Sequence, residues 1–268
     1  MPGTAQDVLL VTMSLAAVAA VAFSVRECRR RSDLIPAFVL LGAAIAIAYE
    51  PLGDFLVLAF YPVHHSIGWV SMLGHKVPLF IEILYLWYFV PFVLLFMRLA
   101  ERGFTARRWW TLWGGTYLFC SAFEVLGLHL KTWLYYGPQP MVVLKLPIWV
   151  PFTYVSFLFA IGAGVYCITR GLERRHHWLV VPAVPILLAA SHAAASFPGA
   201  SALYSTRNGT VLFLGGLGSI AVAALIAYAL RLPLAAARLA APATPEPIAA
   251  GAPIAPHPPA RERVPAGV

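Results

Sequence analysis

Apolar runs, each near the length of a membrane span, recur along the chain and are separated by short polar or punctuated stretches. Seven runs can be drawn, at about residues 8–25, 34–49, 79–99, 109–130, 148–168, 178–197 and 210–230. A helix crosses the hydrocarbon layer with roughly 17–25 residues, and all but the slightly short second run meet that length. The runs are continuously apolar rather than alternating, which argues for helices and against a β-barrel. The pattern predicts an all-α membrane protein, a bundle of seven transmembrane helices forming one domain over residues 1–231. The first run lacks a basic lead and an A-x-A-like site, so it reads as a retained span rather than a cleaved signal. From residue 232 to 268 the sequence becomes Pro/Ala-rich and aperiodic, which predicts a disordered tail.

Composition agrees. The 268 residues are 60% hydrophobic and 11% charged, with mean hydropathy +0.78. A soluble domain carries about 25% charged residues, so this chain lacks the polar surface to cover itself in water. The net charge of +8 invites a nucleic-acid partner, but the basic residues fall in clusters between the apolar runs, as topology determinants do. The partners expected are the lipid bilayer and a lipophilic small molecule, with no nucleic acid. Alternate connections hold Arg26, Arg29, Arg30, Arg31, then Arg98, Arg102, Arg107, Arg108, then Arg170, Arg174, Arg175, then Arg231 and Arg238. The opposite connections hold only Lys76, Lys131, Lys145 and Arg207. The positive-inside rule then places the N-terminus outside and the C-terminus in the cytoplasm of a plasma or inner membrane.

The acids fall unevenly on that topology. Glu27, Asp33, Glu101 and Glu173 lie in basic loops, Asp7 near the N-terminus, and Glu246 and Glu262 in the tail. Glu50, Asp54, Glu82 and Glu124 all belong to the outer half of the bundle, and so does His192. An ionisable group inside a span costs several kcal/mol unless it faces a polar cavity or a partner, which singles out Glu124 and His192. A structural interhelical hydrogen bond is the competing reading for both. Glu50 and Asp54, placed at the outer end of the second run, read either as helix caps or as site carboxylates. Glu82 reads either as a charge favoured at a helix N-terminus or as part of the site.

Residues 50–82 carry these acids among Pro51, Gly53, Pro62, Gly68, Gly74 and Pro78, too much punctuation for one helix. Tyr61, His65 and Trp69 lie in the same stretch. The loop after Glu124 brings Trp133, Tyr136, Gln139 and Trp149, with Tyr154 following in the fifth span. These aromatics fit an interfacial belt, or the wall of a small-molecule pocket with a few convergent polar groups. A metal on His64, His65 and a carboxylate is disfavoured because adjacent histidines point apart, and no metal is expected. Cys28, Cys120 and Cys167 have no disulfide or zinc spacing and read as apolar fillers. The seventh run has no lysine for a retinal Schiff base, and neither a Gly-rich phosphate loop nor a Gly-x-Ser-x-Gly elbow is present.

Between residues 49 and 151 the motifs resemble those of the actinobacterial AveC-like spirocyclases. They are the Glu50–Pro51–Leu52 step, Tyr61–Pro62, Gly68–Trp69, Val77–Pro78, then Glu124, Tyr136–Gly137 and Pro147–Trp149. The resemblance implies a membrane enzyme that closes spiroketal rings on a polyketide, sometimes with dehydration. The layout is also similar in kind to integral-membrane terpene cyclases, an analogy of fold only. A carboxylic acid in an apolar cavity can keep its proton near neutral pH and act as a general acid. The expectation is a biosynthetic enzyme, without cofactor, for acid–base cyclisation, dehydration or isomerisation of a lipophilic polyketide or isoprenoid. Glu124 is expected as the acid, with Asp54, Glu50 or His192 as its partner. The alternative is a non-enzymatic seven-span carrier, sensor or assembly partner.

Overall fold

The structure, a computed structural model, describes residues 2–62 and 68–240. His64, His65 and most of the Pro/Ala tail lie outside the described residues. Among the described residues six helical segments are long and apolar enough to cross a membrane. The protein is an all-α, multi-pass membrane protein.

Helix α1 (Pro2–Arg31) ends in three arginines. Ser32, at φ 50°, turns the chain, and Asp33 accepts the backbone N–H of Ile35 at 3.1 Å to start α2 (Ile35–Ala46). The second run does not stop at residue 49 as expected. A 3₁₀ turn (Ile47–Tyr49) leads straight into α3 (Glu50–Val57), giving a 23-residue membrane-length segment, Ile35–Val57. Pro51 is tolerated in the first turn of α3, where its missing N–H breaks no hydrogen bond. Leu58 ends α3 in the left-handed conformation, at φ 54°. Glu50 and Asp54 therefore lie inside this segment, not at its outer edge.

Helix α4 (Leu79–Glu101) carries Pro91, and α5 (Ala106–Leu130) is capped by Thr105, whose hydroxyl accepts the N–H of Arg108 at 3.2 Å. Next come α6 (Val150–Gly171), α7 (Val180–Ser205) and α8 (Gly209–Ala240). The last helix continues past residue 232, where the sequence pattern began the tail. Helix α6 lies at the centre: it packs on α4, α5, α7 and α8, while α1 rests outside on α2 and α4. Close approach of α2 to α7 depends on Gly42, where an added Cβ would stand 2.8 Å from the carbonyl oxygen of Val181.

The two ends of the bundle differ. At one end buried Glu27 is bound by Arg30, Arg31 and Arg98, Glu101 pairs with Arg170, and His177 lies 4.0 Å from Asp33. At the other, Gln6 donates to the Pro62 carbonyl and Tyr204 to that of Phe55. Here β1 (Ala59–Phe60) pairs antiparallel with β4 (Leu134–Tyr135), joining the loop after α3 to the loop after α5. Two small hairpins complete this end: β2 (Ser71–Met72) with β3 (His75–Lys76), and β5 (Val142–Val143) with β6 (Leu146–Pro147).

Candidate functional site

Beneath the β1–β4 pair lies a cavity of about 90 Å³. A water needs roughly 10–15 Å³ on this measure, so the space holds a few waters or one small chemical group. Helices α3, α4, α5, α6 and α7 all contribute to it. Glu50, Asp54, Glu124 and His192 line this one cavity. Asp54 is 5% exposed, Glu124 8% and His192 3%. Among the described residues no lysine or arginine lines it.

Each acid is held differently. Glu50 accepts the Tyr61 hydroxyl at 2.6 Å on one oxygen and the Tyr85 hydroxyl on the other. Oε2 of Glu124 accepts both the Trp133 indole N–H, at 2.8 Å, and the Tyr135 hydroxyl, at 2.9 Å. Tyr135 also meets the Tyr154 hydroxyl at 3.1 Å. Oδ2 of Asp54 is buried and has no hydrogen-bond partner among the described residues. Nδ1 of His192 lies 3.1 Å from the Tyr49 hydroxyl, while Nε2 is buried and has no partner among the described residues. The imidazole stacks on Tyr154, ring centres 5.9 Å apart, and meets Tyr49 edge-on.

Small residues make this fit possible. An added Cβ on Gly127 would fall 2.0 Å from the Trp133 ring, so Trp133 lies over the α5 backbone one turn after Glu124. Gly53 brings α3 against the Tyr49 and His192 rings, where a Cβ would come within 3.5 Å of each. Two of the phenols lie outside the membrane-length segments. Burial first, then Asp54 and Glu50, holds Tyr61 well above its ordinary pKa. Burial first, then Glu124, does the same for Tyr135. Both are proton donors across the working range of pH.

Of the residues expected in the pocket, Tyr61, Trp133 and Tyr154 line this cavity. Others do not. Trp69 is 81% exposed on the outer loop, and Glu82 accepts the backbone N–H groups of Trp69 and Val70, tying that loop to α4. Tyr136 lies in a separate outer recess with Phe60, His75 and Lys76. Gln139 donates to the carbonyls of Val57 and Tyr136, a bracing role. Trp149 is fully buried in a second apolar cluster with Val57, Val150 and Leu203. His65 falls outside the described residues. The cavity also contains Tyr49, Tyr85, Tyr88, Tyr135 and Cys120, which sequence reasoning did not place there. The signal was a hydroxyl within an apolar run: Tyr85 and Tyr88, three apart, share one face of α4, and a buried phenol needs a partner.

Fold and site define a multi-pass α-helical membrane protein with a phenol-lined, three-carboxyl internal cavity. No protein-family model, curated protein or solved structure matches the chain.

Proposed function

We propose that the protein is a membrane-embedded enzyme that performs acid–base cyclisation, dehydration or isomerisation on one end of a lipophilic polyketide or isoprenoid. The observation that carries this reading is the convergence of Glu50, Asp54, Glu124 and His192 on one cavity lined by tyrosines. Ring closure of the kind performed by the AveC-like spirocyclases, which the motifs resemble, is the same chemistry. The small volume suits a reacting end rather than a whole polyketide skeleton. Helix α5, although richer in Trp, Tyr and Gly than the other six segments, is taken as a seventh span because its 25 residues reach the length required. The arginine-rich end then faces the cytoplasm, and the cavity lies toward the outer leaflet with the N-terminus outside.

Hydrogen bonding supports a division of roles. An oxygen holding two donors suits a carboxylate, and one without a donor suits a carboxylic acid. Asp54, with its free Oδ2, thus takes the role of general acid in place of Glu124, the choice made from the sequence. The Asp54 O–H bond breaks as its proton passes to a substrate alkene, epoxide or hydroxyl oxygen. The resulting cation closes onto an internal nucleophile, or water leaves, and a proton then returns to Glu124 or to Nε2 of His192. With Nδ1–H donated to the Tyr49 oxygen, Nε2 of His192 keeps the free lone pair that accepts this proton. No electrons are exchanged. Aromatic faces and the Glu50 carboxylate stabilise the cation in transit.

The test is conversion of lipophilic polyketide and prenyl precursors by the purified protein in heavy water, read by mass spectrometry. Products should be isomers, or lighter by one water, with deuterium at the protonated atom. Asp54→Asn and Glu124→Gln should each lower the rate by roughly 10²–10⁴-fold. Full conversion by both variants, or binding by the wild type without conversion, would overturn the reading and favour a carrier or sensor.

A further inference from the structure

On its flank the bundle is open. Helix α5 packs on α6, but it meets α4, its predecessor in the chain, mainly through long side chains such as Trp109 on Phe96 and Phe123 on Trp87. Between α4 and α5 lies a cleft of about 870 Å³, walled by Phe92, Leu95, Leu112 and Phe119 and floored by Leu158 of α6. Leu95 and Phe119 are exposed, as befits a surface that meets hydrocarbon. One end of the cleft is basic: Arg107 and Arg108 line it from the first turn of α5, where the positive end of the helix dipole adds to the potential.

The other end is Tyr88, which lines both this cleft and the inner cavity. Its hydroxyl lies 2.9 Å from the Cys120 thiol, bridging α4 to α5, and its ring stacks on Phe119 at 6.3 Å. A single layer of side chains therefore separates the bilayer-facing cleft from the carboxyl cavity.

We infer that the α4–α5 cleft binds a single-chain anionic amphiphile, its head at Arg107 and Arg108 and its chain end at Tyr88, next to the inner cavity. Along α5 the path from Arg108 to Cys120 spans about 18 Å, at 1.5 Å per residue. The ligand class is a long-chain carboxylic or phosphoric acid whose far end, not its head, approaches Glu124 and Asp54. A molecule made in the cytoplasm and held in the adjoining leaflet would enter by this route. Catalysis past Tyr88 rests on the proposed function; binding in the cleft does not.

The probe is a myristic acid analogue with a diazirine at its terminal carbon, compared with the matching neutral alcohol. After irradiation of the protein in detergent, peptide mass spectrometry should find the acid on Tyr88, Phe119 or Cys120. Two arginines near a surface strengthen binding of an anion enough that the pair Arg107→Ala and Arg108→Ala should label roughly tenfold less. The pair Arg107→Lys and Arg108→Lys should retain labelling, as should Asp54→Asn, because no turnover is involved. Equal labelling by the alcohol, unchanged labelling of the double alanine variant, or adducts outside the cleft would each overturn the assignment. Loss of labelling under excess phosphatidylglycerol would reassign the cleft to bulk lipid.

Discussion

At the scale of single residues, the cavity is a set of donors arranged around acids. Three phenols and an indole donate to acids carried by α3 and α5, and a fourth phenol, Tyr154, bonds the Tyr135 hydroxyl behind them. For Tyr61 and Tyr135 this has a measurable sign. Both phenols are held well above their ordinary value, whereas an unfolded chain releases those protons near pH 10. Folding therefore retains protons that the unfolded state gives up, and stability falls as pH rises beyond about 10. In a phenolate absorbance titration of the folded protein, Tyr61→Phe and Tyr135→Phe should leave the rise near pH 10 unchanged, since neither phenol ionises there. A step lost at that pH would mean the phenols are not enclosed. The acids were legible because a charge in an apolar run needs a reason. The tyrosines were not, because an aromatic in such a run reads first as packing, and only the fold shows that the hydroxyls of Tyr85 and Tyr135 have acids to meet.

At the scale of elements, the decisive piece is the α2–α3 segment. Its apolar beginning was plain, but Pro51 and Gly53 looked like the end of a span and in fact lie within one. Local punctuation was outweighed by packing: Gly53 fits beneath the His192 ring, and Gly42 lets α2 reach α7. Gly42→Val should therefore be costly. Its Cβ would stand 2.8 Å from both the Val181 oxygen and the Val184 Cβ, and overpacking of this kind costs about 1–3 kcal/mol. A clearly lower unfolding midpoint in detergent is expected, and an unchanged midpoint would show that α2 and α7 are not locked there. By contrast α4, α6 and the start of α8 were readable to within a few residues, because their apolar runs are long and bounded by arginines, glycines or a capping Asn208, whose side chain accepts the N–H of Thr210 at 2.9 Å.

At the scale of the whole molecule, ion pairs gather the arginine-bearing loops at one end, and small β-pairs gather the acidic and aromatic loops at the other. If the arginine end is cytoplasmic, single cysteines in a chain lacking Cys28, Cys120 and Cys167 will report it. Met72→Cys, in the β2–β3 hairpin, should react with a membrane-impermeant maleimide on intact cells. Leu172→Cys, after α6, should react only once the membrane is opened. The reverse pattern would invert the topology. The grouping of the arginine-bearing loops at one end was the most legible feature in the sequence, since loop charge needs no knowledge of packing. The lateral cleft was the least legible, because it arises from how far α5 stands from α4.

The β1–β4 pair also fixes a timetable. Its halves are Ala59–Phe60 and Leu134–Tyr135, so the cover over the cavity cannot close until the ribosome has delivered α4 and α5. Glu50 is made before both of its phenols, and Asp54 waits with it. Glu124, in turn, precedes Trp133 and Tyr135 by only 9 and 11 residues. The nascent α2–α3 segment thus enters the membrane with two acids still unserved, and its completion is deferred until the fifth helix and the loop behind it have been synthesised.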